Sequence, residues 1–506
     1  MSVPVSKENR AAEIDQCLKL LSASASDESK FTALLILPRL LDANDENTIQ
    51  HVFGRMNFKF LERLMKSSKC INSSVTLVFR LSYKLQWMFV SLTSKIEPTA
   101  EVPETVMQEI AVNILSFFSN VDSLKSSEDL IARIPTLSTL IKPSDSNDIT
   151  KEVLMMVMRL QDSELAISAT LSSTVLSRIL SLLGINATSE EQELAKHLCV
   201  LTYGNAFTKI EQQNSQILRT AVLESLKFTL LPTLSSTIRV KQDVSKFIAV
   251  DLLHRVLNEC PTDITKELYS TEQQRVNIWC ENIRSGLRQI LTSKTVSDRR
   301  DQAFSLIATL LRHIGPNWLF CTLGKTAAVA HEAPQQLEKQ PAGGAKGKPV
   351  VTEESEIDAR FPALLIQLAS LEARLILDEL GGDPDAGGRK TLQEAPSSDR
   401  SIAMLPMFYQ IIESGIQYLT SEDLDLQGTD IDLIFKIRNI LRELFKAIID
   451  FLNDIQSKHA EQDVFENIVA LASVRLLAIW TEEDDSLNEE MSSATLTMVE
   501  TFRDTQ

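Results

Sequence analysis

Histidine and cysteine are the side chains in this sequence best suited to metal binding or nucleophilic chemistry. The six histidines form no HExxH motif and the six cysteines form no CxxC pair, so the common zinc-site spacings are missing. His197 and Cys199 are two residues apart, a spacing that points side chains to different sides of a helix. No second ligand pair accompanies them, and we predict no metal site. The cysteines are Cys17, Cys70, Cys199, Cys260, Cys280 and Cys321, and their wide spacing favours buried, reduced thiols over a disulfide framework.

Two glycine-containing segments resemble parts of phosphate-binding loops. Gly324-Lys325-Thr326 matches the end of a P-loop, but Leu319 stands where the first glycine is required. The segment 343–348 is rich in glycine, yet Pro349 follows it and no strand or helix signal flanks it. Neither segment places a glycine turn before a helix N-terminus, which is where backbone N–H groups surround a phosphate. We predict that both are loops and that the chain needs no cofactor.

An acidic segment, 423–428, matches the first half of a calcium-binding EF-hand loop. The twelfth position of that loop is Ile434, where a bidentate glutamate is required, so an acidic loop before a helix is preferred. The GxSxG motif of a nucleophile elbow is also missing. We therefore predict a non-enzymatic chain with no catalytic, cofactor-binding or metal-binding residues. The alternative is an enzyme whose catalytic residues come together only in the fold.

The apolar residues follow a helical period along almost the whole chain. In the segment 301–314 the apolar positions are three and four residues apart, which places them on one helix face. These positions are Ala303, Leu306, Ile307, Leu310, Leu311 and Ile314. Gly315-Pro316 follows and ends the helix, because proline cannot continue it. Alternating runs typical of strands are nearly absent, so the sequence predicts an all-α fold.

The length of 506 residues exceeds what one globular core usually contains. Helix pairs recur at about forty residues, near the period of armadillo or HEAT units. The segment 468–480 is apolar on almost every side, as helices covered by stacked repeats are. We predict an armadillo/HEAT-like α-solenoid. Arg475 in this segment, and Arg374 in a similar helix, are expected to reach the surface or pair with a carboxylate, with a functional role as the alternative.

Two polar segments rich in glycine and proline interrupt the predicted helices. We expect one array from residue 10 to 321, a disordered loop at 322–358, and the rest of the same array at 359–503. A shorter flexible loop is expected at 381–400. Predicted helices that are compared with the structure below are 75–92, 163–183, 190–201, 209–229, 361–380 and 401–419.

The predicted helix 430–455 has apolar positions that alternate by three and four residues. This seam of about three heptads is typical of a coiled coil. Ile440, Phe445, Ile449 and Leu452 add a second apolar stripe. A face this wide suits a solenoid core, and we favour core packing over dimerisation.

The net charge is −17, from 51 basic and 68 acidic residues. Such a surface repels phosphate backbones, so the chain is not expected to bind nucleic acid. Residues 1–10 lack the apolar core of a secretory signal, and no apolar run is long enough to span a membrane. We expect a cytoplasmic protein, peripheral at endomembranes at most. The acidic run 482–485 is interpreted as a solvated helix end, with attraction of a basic partner as the alternative.

Several segments occur in the order found in one family of helical proteins. Their individual matches are weak and resemble packing positions, but the shared order covers about residues 10 to 490. The segments are Lys30–Leu35, Ile134–Leu140, Ser245–Phe247, Asn317–Leu319, Phe361–Glu379, Glu413–Gln417 and Leu471–Glu483. In these segments the chain resembles the neurochondrin family.

The resemblance implies an armadillo-like fold without enzymatic activity, and a scaffold that binds receptor tails and signalling proteins. In animals it implies a link to neurite outgrowth and synaptic signalling. It also implies that family members extend beyond the C-terminus of this chain. Membrane attachment in the family uses acylated N-terminal cysteines, whereas Cys17 lies on a predicted helix. A transport-receptor-like solenoid for basic peptides is the remaining alternative, consistent with the acidic charge.

Overall fold

The described part of the chain is built from helices. The computed structural model describes residues 7–22, 24–41, 45–66, 104–143, 148–320, 353–381, 397–421, 431–458, 468–484, 487 and 491–504. Within these ranges the regular elements are α-helices, one 3₁₀ turn at Asp122–Leu124 and one π-helical turn at Leu226–Leu230, without a strand. The prediction of an all-α fold is confirmed.

The first helices of the chain are numbered here in chain order. They are α1 Lys7–Leu20, α2 Asp27–Leu40, α3 Glu46–Gly54, α4 Phe58–Lys66, α5 Glu104–Ser119, α6 Glu128–Ile131, α7 Ile134–Ser138, α8 Asp148–Arg159, α9 Glu164–Leu171, α10 Ser173–Ser181, α11 Ser189–Gln213, α12 Gln216–Ser225 and α13 Leu231–Val240. The later helices are α14 Val244–Asn258, α15 Thr262–Thr271, α16 Gln273–Thr292, α17 Ser297–Ile314, α18 Asn317–Phe320, α19 Glu353–Gly381, α20 Ser397–Leu419, α21 Ile431–Lys458, α22 Ile468–Glu483 and α23 Ser493–Asp504.

The chain divides into two compact units. Unit 1 contains Met1–Leu234 and Gln242–Ile264, and unit 2 contains Ser235–Lys241 and Thr265–Gln506. The predicted loop at 322–358 lies within unit 2 and does not separate the units. The continuity of one array along the whole chain stays a prediction.

In unit 1, several helices pack against the helix three positions earlier in chain order. Helix α5 packs against α8, α8 against α11, and α11 against α14. The shorter helices form parallel contacts, with α7 packed on α10 and α9 on α12. Stacking of like helices at intervals of three elements is the arrangement expected of armadillo-type repeats, in which each repeat contacts its neighbours.

In unit 2 the helices form two rows. One row contains α16, α19, α21 and α23 in order, and the other contains α17, α20 and α22. Helix α19 also packs on α20, which joins the rows. Two helices per repeat is the HEAT pattern, and the predicted armadillo/HEAT-like α-solenoid class is confirmed.

Backbone conformation explains several differences from the predicted helix bounds. Helix α11 starts with a capping box between Thr188 and Glu191, and it ends at Asn214, which has a left-handed φ of 51°. The predicted helices 190–201 and 209–229 are therefore wrong at their inner ends, since α11 spans the whole gap at 202–208 and the helix breaks at Asn214 instead. The predicted helix 163–183 is divided into α9 and α10 at Ser172, whose ψ is 141°. The predicted helix 75–92 lies outside the described residues.

A π-helical turn joins α12 to α13 just before Pro232. Proline has no N–H to donate to the carbonyl four residues earlier, and its ring collides with that carbonyl in a regular α-helix. The wider turn at Leu226–Leu230 relieves this collision and lets the helix continue into α13.

Helices α19 and α20 begin earlier than the sequence predicts. Residues 353–358 are helical, so the C-terminal end of the predicted disordered loop is wrong. Residues 353–360 contain no glycine or proline, and helix formers such as Glu353 and Ala359 let the helix extend upstream of Pro362. Similarly, Gly381 and residues 397–400 are helical, while the rest of the predicted loops at 322–352 and 382–396 lies outside the described residues.

Gly286 of α16 lies very close to the backbone of α13. A Cβ atom on this residue would lie 2.3 Å from the carbonyl oxygen of Ile238 and 2.7 Å from its carbonyl carbon. Only glycine allows the two helices to approach this closely, because every other residue carries a Cβ.

An ion-pair network connects three helices of unit 2. Arg400 on α20 donates Nε to Asp301 Oδ2 at 2.7 Å and Nη2 to Asp301 Oδ1 at 2.8 Å, and it also reaches Glu372 on α19. This bidentate pair raises the pKa of the Arg400 guanidinium above its ordinary value, chiefly through hydrogen bonding to Asp301.

Replacement of Arg400 by methionine is expected to lower the free energy of unfolding of unit 2 by about 1–2 kcal/mol, because it leaves Asp301 and Glu372 without their shared cation. The measurement is urea denaturation of both proteins at low and high salt, where the difference should narrow with salt. Arg475→Met is the control, since its single pair with Glu413 is more exposed and should be worth about 0.5 kcal/mol. Equal losses for the two variants would contradict a special role for the network.

Candidate functional site

The residues with metal-binding chemistry do not converge in the described part of the chain. His197 is exposed and Cys199 is buried, so the predicted divergence of this pair is confirmed. His313 is buried, with its Nδ1 3.1 Å from the hydroxyl of Thr265. Within the described ranges no three histidine, cysteine or acidic side chains form a group able to hold a metal ion. The predicted loops at 324–326, 343–348 and 423–428, together with His331 and His459, lie outside those ranges.

The described cysteines lie inside the helical packing. Cys17, Cys199, Cys260 and Cys280 are free and buried, whereas Cys70 and Cys321 lie outside the described residues. Burial raises the pKa of Cys199 and of Cys260 from 9.0 to about 12. The reactive thiolate is therefore disfavoured at neutral pH, which fits a packing role for these thiols.

Cys199 is expected to resist alkylation by iodoacetamide at pH 8 in the native protein and to react fully in guanidinium chloride. The reason is that its raised pKa keeps the thiol protonated and its burial blocks access. Site-resolved mass spectrometry of the alkylated peptides measures this.

The raised pKa of Cys199 also predicts a pH dependence of stability. Because the unfolded chain releases the thiol proton first, the free energy of unfolding should fall as pH rises from about 9 toward 12. Native labelling of Cys199 at the unfolded rate would contradict both expectations.

Three ion pairs involve charged residues of the C-terminal helices in unit 2. Arg475 Nη2 lies 2.8 Å from Glu413 Oε1, so its predicted carboxylate partner is confirmed. In the acidic run 482–485, Asp484 pairs with Arg438 at 2.8 Å and Glu482 with Arg503 at 3.7 Å. Glu482 is solvated as predicted for a helix end, whereas the Asp484 side chain is only 8% exposed and is held by Arg438.

A cleft of about 280 Å³ lies between α19 and α21, the pair of helices in unit 2 with the most extensive mutual contact. This volume is near the lower end of the range for ligand pockets, about 300–1,000 Å³. We call it the α19–α21 cleft. Its walls are Gln367, Ser370, Leu371 and Arg374 from α19, and Asn439, Ile440 and Glu443 from α21.

The polar groups of the α19–α21 cleft have unused hydrogen-bonding capacity. Arg374 is half-buried and forms no ion pair or hydrogen bond with any residue that the structure describes. Of the two arrangements predicted for it, the structure shows a side chain that reaches the surface and not one paired with a carboxylate. Ser370 is only 2% exposed, and its hydroxyl has no partner in the described structure. Elsewhere in unit 2, Ser473 donates instead to the carbonyl four residues earlier, at 2.8 Å. An unpaired buried hydroxyl is unfavourable by about 1–3 kcal/mol, which marks this position as unusual.

Apolar side chains border the same cleft. Leu371 is 51% exposed on its wall, and Leu375 is exposed one turn further along α19. On α21, Phe435 is 55% exposed and lies one turn from Asn439 on the same helix face. Exposed leucine and phenylalanine beside unpaired polar groups are typical of surfaces that bind other proteins.

The sequence partly predicts how α21 packs. The seam and the second stripe are both buried at Leu444, Phe445, Ile448 and Leu452, as expected for a core helix. Ile440 is only half-buried, because it lines the α19–α21 cleft. The one sequence feature that could have indicated the cleft is Arg374, a charged residue within an otherwise apolar helix. Its cleft partners are about 65 positions further along the chain, and no short motif connects them.

No described helix has the length and apolar character that crossing a membrane requires.

Comparison with known proteins gives consistent matches over nearly the whole chain. The family model described as Neurochondrin matches residues 8–504. The chain is 22% identical to the neurochondrin homolog of Drosophila melanogaster over 93% of its length, and 24% identical to human neurochondrin over 96%. The corresponding value for the Gallus gallus protein is 24% over 95%. These matches cover 54%, 53% and 55% of the relatives, so the chain spans about half their length.

Among solved structures, an engineered protein aligns with 92% of this chain and 98% of its own, at 12% identity and a TM-score of 0.28. A TM-score this low does not establish a shared fold. The family match rests instead on the sequence, where one pattern extends from α1 to α23. The chain therefore belongs to the neurochondrin family.

Proposed function

We propose that the chain is a non-catalytic, neurochondrin-like scaffold and that the α19–α21 cleft is a docking site for another protein. The observation that carries this proposal is a cleft that combines exposed Leu371 with the unpaired groups of Ser370 and Arg374. Its occupant is an extended segment of a partner protein, because the cleft lies along two packed helices and is lined by side chains from both.

Side-chain chemistry supports a peptide as the occupant. Gln367 and Asn439 stand on opposite walls, and each carboxamide has both donor and acceptor groups that match a peptide bond. An aliphatic side chain of the partner would cover Leu371 and Leu375, which removes apolar surface from water at about 25 cal/mol per Å². Binding thus combines backbone hydrogen bonds with apolar burial.

The finer part of the proposal follows the family resemblance. The partners are receptor tails and signalling proteins in the cytoplasm, with at most peripheral placement at endomembranes. In an animal cell the scaffold acts in neurite outgrowth and synaptic signalling.

The test compares proteins that bind wild type with those that bind Leu371→Glu. Proximity labelling in cells with quantitative mass spectrometry should reveal a set of proteins lost on this substitution, because a carboxylate replaces the apolar wall. Leu165→Glu is the matched control: Leu165 is 50% exposed, lies on α9 of unit 1, and should leave that set unchanged. Circular dichroism checks that both variants remain folded.

An unchanged protein set for Leu371→Glu would overturn the docking cleft. Binding of lysine-rich peptides that weakens with salt and requires Glu443 would instead support a transport-receptor-like function. If the protein turned over a substrate and one point substitution abolished that activity, the scaffold proposal would be overturned in favour of an enzyme.

A further inference from the structure

Arg374 differs from the other arginines of its helical rows. Arg300 and Arg400 pair with Glu372, Arg438 with Asp484 and Arg475 with Glu413. The chain has 68 acidic residues for 51 basic ones, so carboxylates are in excess. Arg374 is nevertheless half-buried without a carboxylate among the described residues, although Glu443 stands on the opposite wall of the same cleft. A partly desolvated guanidinium without an acceptor can bind an external anion.

The surroundings of Arg374 narrow the class of that anion. Ser370 lies one turn away on the same helix, with a hydroxyl that has no acceptor. Leu371 lies one turn before Arg374, and Leu375 is one turn past Leu371 on the same helix. Both leucines are exposed and favour an aliphatic neighbour rather than a free ion. Glu443 disfavours a ligand with two negative charges, such as a phosphate group or adjacent acidic residues. One planar carboxylate matches the fork of a guanidinium.

We propose that the α19–α21 cleft binds an extended peptide segment in which one aspartate or glutamate lies next to an aliphatic residue. Arg374 donates hydrogen bonds to the carboxylate, and Leu371 and Leu375 contact the aliphatic side chain. The acid is a side chain within the segment rather than a chain end, since Gln367 and Asn439 on the two walls match a backbone that continues past it. This inference rests on the proposed docking function of the same cleft.

The experiment selects a random heptapeptide library, displayed with linkers on both sides, against the full chain. Enriched peptides should carry one acid beside leucine, isoleucine or valine. The affinities of the enriched peptides, measured as synthetic copies, should fall about tenfold to a hundredfold for Arg374→Gln, as expected when an Arg–carboxylate hydrogen bond is lost. Changing the peptide's acid to its amide should cause a similar loss, and Arg374→Lys should retain part of the affinity.

Two further variants sharpen the result. Arg178→Gln is the matched control, because Arg178 is exposed on α10 and its guanidinium has no partner among the described residues, and affinity should not change. Glu443→Gln should enrich peptides with two adjacent acids, because the repulsion is removed.

The possible failures are distinguishable. Peptides that lose affinity with Leu371→Glu but not with Arg374→Gln would overturn the carboxylate inference and retain the docking cleft. Peptides that respond to neither substitution, or no enrichment at all, would overturn both proposals. Enrichment of basic peptides that require Glu443 would overturn the carboxylate inference in favour of a cation-binding cleft.

Discussion

Replacement of Gly286 by alanine is expected to destabilise unit 2 by about 3 kcal/mol or more, a large fraction of the stability of an ordinary domain. The new Cβ would meet the Ile238 carbonyl oxygen at 2.3 Å, its Cγ2 at 2.5 Å and its carbonyl carbon at 2.7 Å. Two of these atoms belong to the backbone, so a side-chain rotation cannot relieve the overlap. One helix must move, and contacts along α16 are lost with it.

This expectation is opposite in sign to the intrinsic effect of the substitution. Alanine is favoured over glycine in a helix by about 1 kcal/mol. Gly54→Ala is therefore the matched control, since no atom lies within 4 Å of a Cβ at that position of α3, and it should be neutral or stabilising. Urea denaturation followed by circular dichroism measures both variants. A Gly286→Ala protein as stable as wild type would show that the helices approach less closely than described.

Phe408→Ala is expected to destabilise unit 2 by about 3–5 kcal/mol. Phe408 is 0% exposed on α20, and its ring meets that of Phe304 on α17 edge to face, with centroids 4.9 Å apart. The substitution removes the apolar contacts of a whole ring and leaves a cavity between two neighbouring helices of the same row, α17 and α20. It also removes an aromatic pair worth about 0.5–1.5 kcal/mol beyond its buried area.

The control for this prediction is Phe435→Ala, which removes the same side chain from a site that is 55% exposed. Its effect on stability should stay within about 0.5 kcal/mol, as for most surface substitutions. Phe408→Leu should restore much of the loss, because leucine refills most of the cavity. The measurement is the denaturant midpoint of wild type and of the three variants. Similar losses of stability for Phe408→Ala and Phe435→Ala would contradict the described burial.

Helical periodicity predicts the core of these rows well. On α17 the predicted apolar face is buried at Ala303, Leu306, Ile307, Leu310 and Leu311. The pattern succeeds here because residues three and four apart must share one face of a helix, whichever helix covers it. The helix bounds are less predictable. Asn214 ends α11 in a left-handed conformation within a segment whose apolar spacing continues, so the prediction placed a helix across it.

The candidate site was not predictable in the same way. Arg374 was visible as one charge in an apolar helix, and Arg475 had the same appearance. The structure separates them, since Arg475 pairs with Glu413 while Arg374 lines a cleft. That difference depends on which helix is the neighbour in the row. The close approach at Gly286 is similar, because its cause is the position of Ile238 and not a local motif.

The three-helix interval of unit 1 has a consequence for synthesis on the ribosome. Helix α8 meets its predecessor α5, and α11 meets α8, after only a few tens of further residues have been added. Contacts between segments this near in sequence carry a small loop-closure entropy and form rapidly. Each new repeat can dock onto the growing stack as it emerges, so apolar faces such as that of α11 spend little time open to aggregation.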